Sequence, residues 1–147
     1  MKNVIRIALG FLPLVVGSIE NAYMTSHPDI LPPLKLIGIV ILLVWAAASY
    51  ALADRKTRPA CQALEFCALG LLALILVIVQ EVFLGSYWPN FIGIASQFYF
   101  LPLISLPYIL PLPRIWMMDI RIWLVLFFIS ICASRIKMRK LHEKEHP

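Results

Sequence analysis

Charge in this chain is confined to short clusters, and the apolar runs between them are about as long as a bilayer is thick. A helix rises about 1.5 Å per residue, so about 20 apolar residues cross a hydrocarbon core of about 30 Å. Four such runs stand out, at about 4–23, 34–53, 60–84 and 116–134. Of 147 residues, 61% are hydrophobic and 14% charged, with a mean hydropathy of +0.86. A soluble domain is roughly half apolar and a quarter charged. The expected fold is therefore an all-α integral membrane protein with four transmembrane helices. Residues 1–134 form one membrane domain and 135–147 a basic tail. The spans leave no room for a soluble catalytic domain.

The net charge of +5 could suit nucleic acid in a soluble protein. Here the basic residues sit at the ends of apolar runs, and the excess of Lys and Arg in cytoplasmic loops accounts for them. Lys2 and Arg6 precede the first run. Asp54-Arg55-Lys56-Thr57-Arg58-Pro59 joins the second to the third. Arg135, Lys137, Arg139, Lys140 and Lys144 follow the last. The 24–33 loop has no Lys or Arg. Both termini are thus expected on the cytoplasmic side of a multi-pass protein of the plasma membrane, the inner membrane of a bacterium. The N-terminus mimics a secretory signal. Gly17 to Ala22 is a poor small-x-small cleavage site, so the first helix is expected to be retained.

Residues 88–113 carry no charge and are long enough to cross. A fifth crossing there would put the basic tail outside, against the charge rule. Pro102, Pro107, Pro111 and Pro113 also interrupt a regular helix. The segment is therefore read as re-entrant from the outer side, or as lying along that surface. Irregular backbone at membrane depth survives only under cover of protein or water, so neighbouring helices or subunits must wall it in.

Ionisable residues within spans are functional candidates by default. Near the outer face these are Glu20, Gln80, Glu81, Asp119 and Arg121, with Arg114, His27 and Asp29 close by in sequence. Beneath the 88–113 segment they could hold a cation, a proton or a polar headgroup; the plainer reading is that each marks the interface. Near the inner face, Arg6 and Glu65 lie at similar depth on different helices and could pair as a structural ion pair. Arg55, Lys56, Arg58, Arg135, Lys137, Arg139 and Lys140 form a docking surface for anionic lipid or protein, or simply fix topology. The aromatics Phe91, Phe98, Tyr99, Phe100 and Tyr108 read as hairpin packing rather than a ligand cage. Ala47/Ala51 and Ser49/Ala53 are four apart, a spacing that lets helices approach closely; packing within the chain is the simpler use, a subunit interface the other.

Cys61, Cys67 and Cys132 are odd in number and unpaired in motif, which argues against disulfides or a zinc site. The chain lacks the paired cysteines of the four-helix quinone-linked thiol oxidoreductases. No His-Glu-x-x-His, G-x-S-x-G or P-loop is present. No enzyme activity, cofactor or metal is expected.

The leading functional expectation is a small membrane scaffold or sensor, oligomeric, that responds to membrane state and acts through a cytoplasmic protein. Its layout resembles that of small four-span proteins that work with a cytoplasmic effector in defence or stress responses, including bacterial anti-phage systems. The likeness is of layout and not of motif. The alternative is an oligomeric ion channel or small-solute transporter that uses the outer carboxylates and the 88–113 segment. A lipid-modifying enzyme ranks third. Expected partners are the bilayer with its anionic lipids, further copies of the chain and a cytoplasmic protein, but not nucleic acid.

Overall fold

A computed structural model describes residues 2–86, 88–105 and 114–143. Among these every regular element is a helix, without strands. Four helical passages are long and apolar enough to cross a membrane: Lys2–Ser26, Leu34–Leu52, Pro59–Phe83 and Ile115–Glu143. The part of the 88–113 segment at 106–113, with Pro107, Tyr108, Pro111 and Pro113, lies outside the described residues, as does 144–147 of the tail.

The first passage is two helices, α1 (Lys2–Leu9) and α2 (Leu12–Ser26). The break has a cause in sequence: Pro13 has no N–H to return to Leu9, and proline is tolerated in a first turn. The connection to α3 (Leu34–Leu52) carries Pro28, Pro32 and Pro33, which cannot continue a helix. Helix α4 (Pro59–Ile78) again opens on a proline and runs into a wider π turn at Val79–Phe83. Gly85, at φ +65°, supplies the left-handed residue that ends it. A short α5 (Phe91–Phe98) is capped by the Asn90 side chain, which accepts the Gly93 N–H at 2.9 Å. A 3-10 turn follows at Leu101–Leu103.

Helix α6 (Ile115–Glu143) has 29 residues, about 44 Å. That exceeds a hydrocarbon core by more than two turns, and the basic residues from Arg135 to Lys140 are part of the same helix.

Helices α3, α4 and α6 pack around Trp45, Phe66, Cys67, Ile122 and Leu126, all buried. The outer faces are apolar too. Leu36, Ile39, Val40, Leu43 and Val44 form an exposed ridge on α3, as Leu72 and Ile75 do on α4. Apolar surface on this scale is stable against lipid and not against water. At mid-bundle a small polar node ties the helices: Trp45 Nε1 donates to Ser130 Oγ at 2.9 Å, and Ser49 Oγ lies 3.2 Å from the same hydroxyl. Ser49 and Ala53 face inward, while Ala47 and Ala51 are exposed.

Candidate functional site

Three features could carry function: the seat of the 88–105 hairpin, the carboxyls near it, and the basic opposite end.

Residues 91–103 pack into the bundle. Helix α5 lies against α2 and α4, and the 3-10 turn reaches α3. Tyr99, Phe100, Pro102 and Leu103 are all fully buried. Two glycines make room. A methyl at Gly70 would lie 2.7 Å from the Tyr99 ring and hydroxyl, and one at Gly17 would collide with the Phe98 carbonyl. Gly70 is thirteen residues before the end of the Pro59–Phe83 passage, which puts Tyr99 roughly 20 Å down the helix axis. The Tyr99 hydroxyl is buried without a hydrogen-bond partner.

Gln80 ties the start of this segment to α4. It sits in the π turn, fully buried. Its Oε1 accepts the Trp88 backbone N–H at 2.8 Å. Its Nε2 donates to Leu76 O at 3.1 Å and to Ser96 Oγ at 3.2 Å. Ser96 Oγ in turn donates to Gly93 O at 2.7 Å. One amide thus joins α4, the loop and α5. A π turn is often found where a helix is adapted to such a local task.

The next residue, Glu81, accepts the Trp116 backbone N–H at 3.2 Å and so caps the first turn of α6. Asp119, 3% exposed, lies one turn further along α6 and is an electrostatic neighbour of Glu81. Arg121, half-buried, is two residues on and so on another side of the helix. Glu81 and Asp119 are therefore gathered where the π turn meets the start of α6, while the neighbouring Gln80 turns to α5. Glu20 is not part of that group. Its surroundings are Ile19, Tyr23, the 30–33 loop and Ile37. Arg114, His27 and Asp29 are exposed.

At the other end, Arg6 and Glu65 form an ion pair at 2.6 Å. Arg6 is 1% exposed and also donates to Leu52 O at 3.0 Å and to Asn3 Oδ1 at 3.3 Å. Lys137 Nζ donates to Ala51 O at 2.6 Å. Two cations from different helices thus satisfy the last carbonyls of α3, where the helix dipole is negative. Lys137 and Lys140 each lie 5.9 Å from the Tyr50 ring centroid, within cation–π range. Gln62, fully buried, closes the 54–58 loop. It donates to Asp54 O and Thr57 O, both at 2.6 Å, and accepts the Asp54 N–H at 3.0 Å. Asp54 Oδ1 accepts the Lys56 N–H at 3.1 Å. That bond holds the Asp54 carboxyl below the usual range; partial desolvation opposes it, and Lys2, Arg6 and Lys56 add to it. Arg55, Lys56, Arg58, Arg135, Arg139 and Lys140 are exposed around this end.

Sequence reasoning missed Gln62, Ser130 and Tyr99's seat. The first two carried a signal: a lone amide or hydroxyl in an apolar helix needs a partner on another element. Among the described residues no group of three His, Cys, Asp or Glu side chains could hold a metal.

No known protein family, no curated protein and no solved structure matches the chain.

Proposed function

We propose that the chain is a four-crossing membrane protein with both termini cytoplasmic, in which 88–113 re-enters from the outer side, and that it acts as a sensor or scaffold of membrane state. The observation that supports this reading is the depth of Tyr99. An amphipathic helix on a membrane surface sinks about 5–10 Å, whereas Tyr99 packs roughly 20 Å along the Pro59–Phe83 passage. A hairpin wedged that far between α2, α3 and α4 responds to whatever spreads or compresses those helices. Its seat depends on glycine-width gaps, which tolerate little movement.

The response has a route to the other end. The carbonyl end of α3 is tied to α1 through Arg6 and to α6 through Lys137. A shift of α3 against α6 therefore reshapes the basic surface of Arg55, Lys56, Arg58, Arg135, Lys137, Arg139 and Lys140. That surface suits anionic lipid headgroups or an acidic face of a cytoplasmic protein.

Single cysteines at Asn90 and Arg139, in a background with Cys61, Cys67 and Cys132 replaced, test the topology. In intact cells an impermeant maleimide should label position 90 and not 139. The reverse pattern, or labelling at both, would overturn the four-crossing reading. For function, Arg139→Glu with Lys140→Glu should release a bound cytoplasmic partner from membranes without lowering protein level. Selective ion or solute flux through purified protein in liposomes would instead favour the channel or transporter.

A further inference from the structure

A groove of about 150 Å3 lies between α2, α4 and α5, beside the seat of Tyr99. Buried Ala73, Ser96 and Tyr99 make its floor. Half-buried Leu14, Leu69, Leu76 and Ala95 form the walls, and exposed Leu72, Phe91 and Ile92 stand at the mouth.

The surface offered to a ligand is hydrocarbon. Among the described residues no charged side chain lines the groove. Two lining side chains carry a polar atom. The Tyr99 hydroxyl is buried against Gly70 and offers no surface. Ser96 Oγ is committed to Gly93 O and to Gln80 Nε2. The nearest acidic residues along α2 and α4 are engaged or sealed: Glu65 pairs with Arg6, Glu81 accepts the Trp116 N–H, and both Glu20 oxygens are buried.

Depth then decides the occupant. Leu76 and Leu69 lie seven and fourteen residues before Phe83, the end of an apolar passage of 25 residues. The groove is therefore roughly 10–20 Å from that end, inside a hydrocarbon core of about 30 Å. Water does not fill such a space: an apolar cavity of about 150 Å3 stays dry and takes small apolar guests. Drug-sized ligands need about 300–1,000 Å3. Lipid headgroups lie too far out. Left empty, the groove would forfeit the dispersion contacts of its lining.

We infer that the groove seats one acyl chain of a bilayer phospholipid, inserted between α4 and α5 and resting on the Tyr99 ring. This deepens the sensor reading and rests on its four-crossing topology. A chain seated there puts the bilayer in direct contact with the residue whose depth supports that reading.

Native mass spectrometry tests this on the full-length protein, moved from liposomes of phosphatidylcholine and phosphatidylglycerol into a mild neutral detergent. One phospholipid per chain should be retained, with no preference between the two headgroups. Ala95→Trp, which fills the groove from α5, should cut the retained fraction at least tenfold. Leu72→Trp narrows it from α4 and should act in the same way; thermal unfolding of each identifies a variant that fails to fold. Arg139→Glu with Lys140→Glu should leave retention unchanged, which separates the groove from docking at the basic end. The maleimide labelling tests the topology by itself. Retention lost in that double variant, or confined to phosphatidylglycerol, overturns the chain seat in favour of a headgroup site. Retention absent in wild type, or unchanged in folded Ala95→Trp and Leu72→Trp, overturns it outright. So does a wild-type dimer that Ala95→Trp splits, because the groove would then hold a second copy.

Discussion

Tyr99 occupies space that exists only because residue 70 has no side chain. A methyl at Gly70 would come to 2.7 Å from the ring carbon Cε1 and the hydroxyl oxygen alike. In an isolated helix, glycine to alanine is favourable by about 0.5–1 kcal/mol. Here the sign should reverse. Gly70→Ala is expected to destabilise the protein by about 1–3 kcal/mol through overpacking against a rigid ring. Tyr99→Leu frees that space, so in its background Gly70→Ala should be neutral or stabilising. Unfolding in mixed micelles of all four forms gives the coupling between the two sites. An equal effect of Gly70→Ala in both backgrounds would show that the ring does not sit there.

The Tyr99 hydroxyl yields a second prediction of opposite sign. It is buried and makes no hydrogen bond. Such a group costs about 1–3 kcal/mol relative to an apolar replacement of the same shape. Tyr99→Phe should therefore raise stability, by about 1 kcal/mol, with the hairpin in place. A clear loss of stability on removing the hydroxyl would mean that it has a partner in the membrane, such as an ordered water.

Arg6 and Glu65 are unequal partners. Arg6 is sealed in the bundle, while the Glu65 side chain is 24% exposed. Removing the carboxylate leaves a guanidinium buried with less compensation, and breaking a buried pair in this way costs about 3–5 kcal/mol. Glu65→Ala should fall near the low end of that range, because Arg6 keeps its bonds to Leu52 O and Asn3 Oδ1. The double change Arg6→Met with Glu65→Leu should recover most of the loss. If the double variant is as unstable as Glu65→Ala, the Arg6 bond to the α3 carbonyl matters more than the ion pair.

Gln80 should be hard to replace. Gln80→Leu keeps the volume but leaves the Trp88 N–H and the Ser96 hydroxyl without this partner. A loss of about 2 kcal/mol is expected, in line with stranded buried donors. The local consequence is more telling: the packing of α5 against α4 should loosen, so a cysteine at the half-buried Ala95 should react faster with maleimide in the variant. Unchanged reactivity would argue against Gln80 as that tie.

What the sequence revealed of this follows from where its signals are one-dimensional. The four long apolar helices could be read because hydrophobic length is a property of consecutive residues; the break before Pro13 was not, because a proline within a span is often tolerated. Arg6 with Glu65 could be anticipated because both lie a similar number of residues from helix ends. The gathering of the outer carboxyls was read less well. Helix rotation decides it, and nothing in the spacing of Glu20 and Glu81 says that Glu20 faces the 30–33 loop while Glu81 faces α6. The depth of Tyr99 was also hidden, because it depends on Gly17 and Gly70 aligning across two helices. Hydropathy changes near Ser134, but α6 runs on to Glu143 because Lys, Arg and Leu are good helix formers.

The 54–58 loop provides a test at the basic end that needs no partner. Asp54 Oδ1 accepts the Lys56 N–H, and this holds the carboxyl below its ordinary value of about 3.9. A carboxylate depressed in the folded state binds its proton more weakly there than in the unfolded chain. Its contribution is therefore fully present above about pH 5 and is lost as pH falls through the folded value. The Lys2 contact, at 3.8 Å and largely exposed, adds little. Hydrogen exchange at the Lys56 amide, corrected for its intrinsic pH dependence, should show constant protection from pH 7 to 5 and a fall below about pH 4. Asp54→Asn should flatten that fall, since its side-chain oxygen accepts the same N–H without titrating. An acid transition of unchanged size in Asp54→Asn would overturn the assignment to Asp54 and its bond to the Lys56 amide.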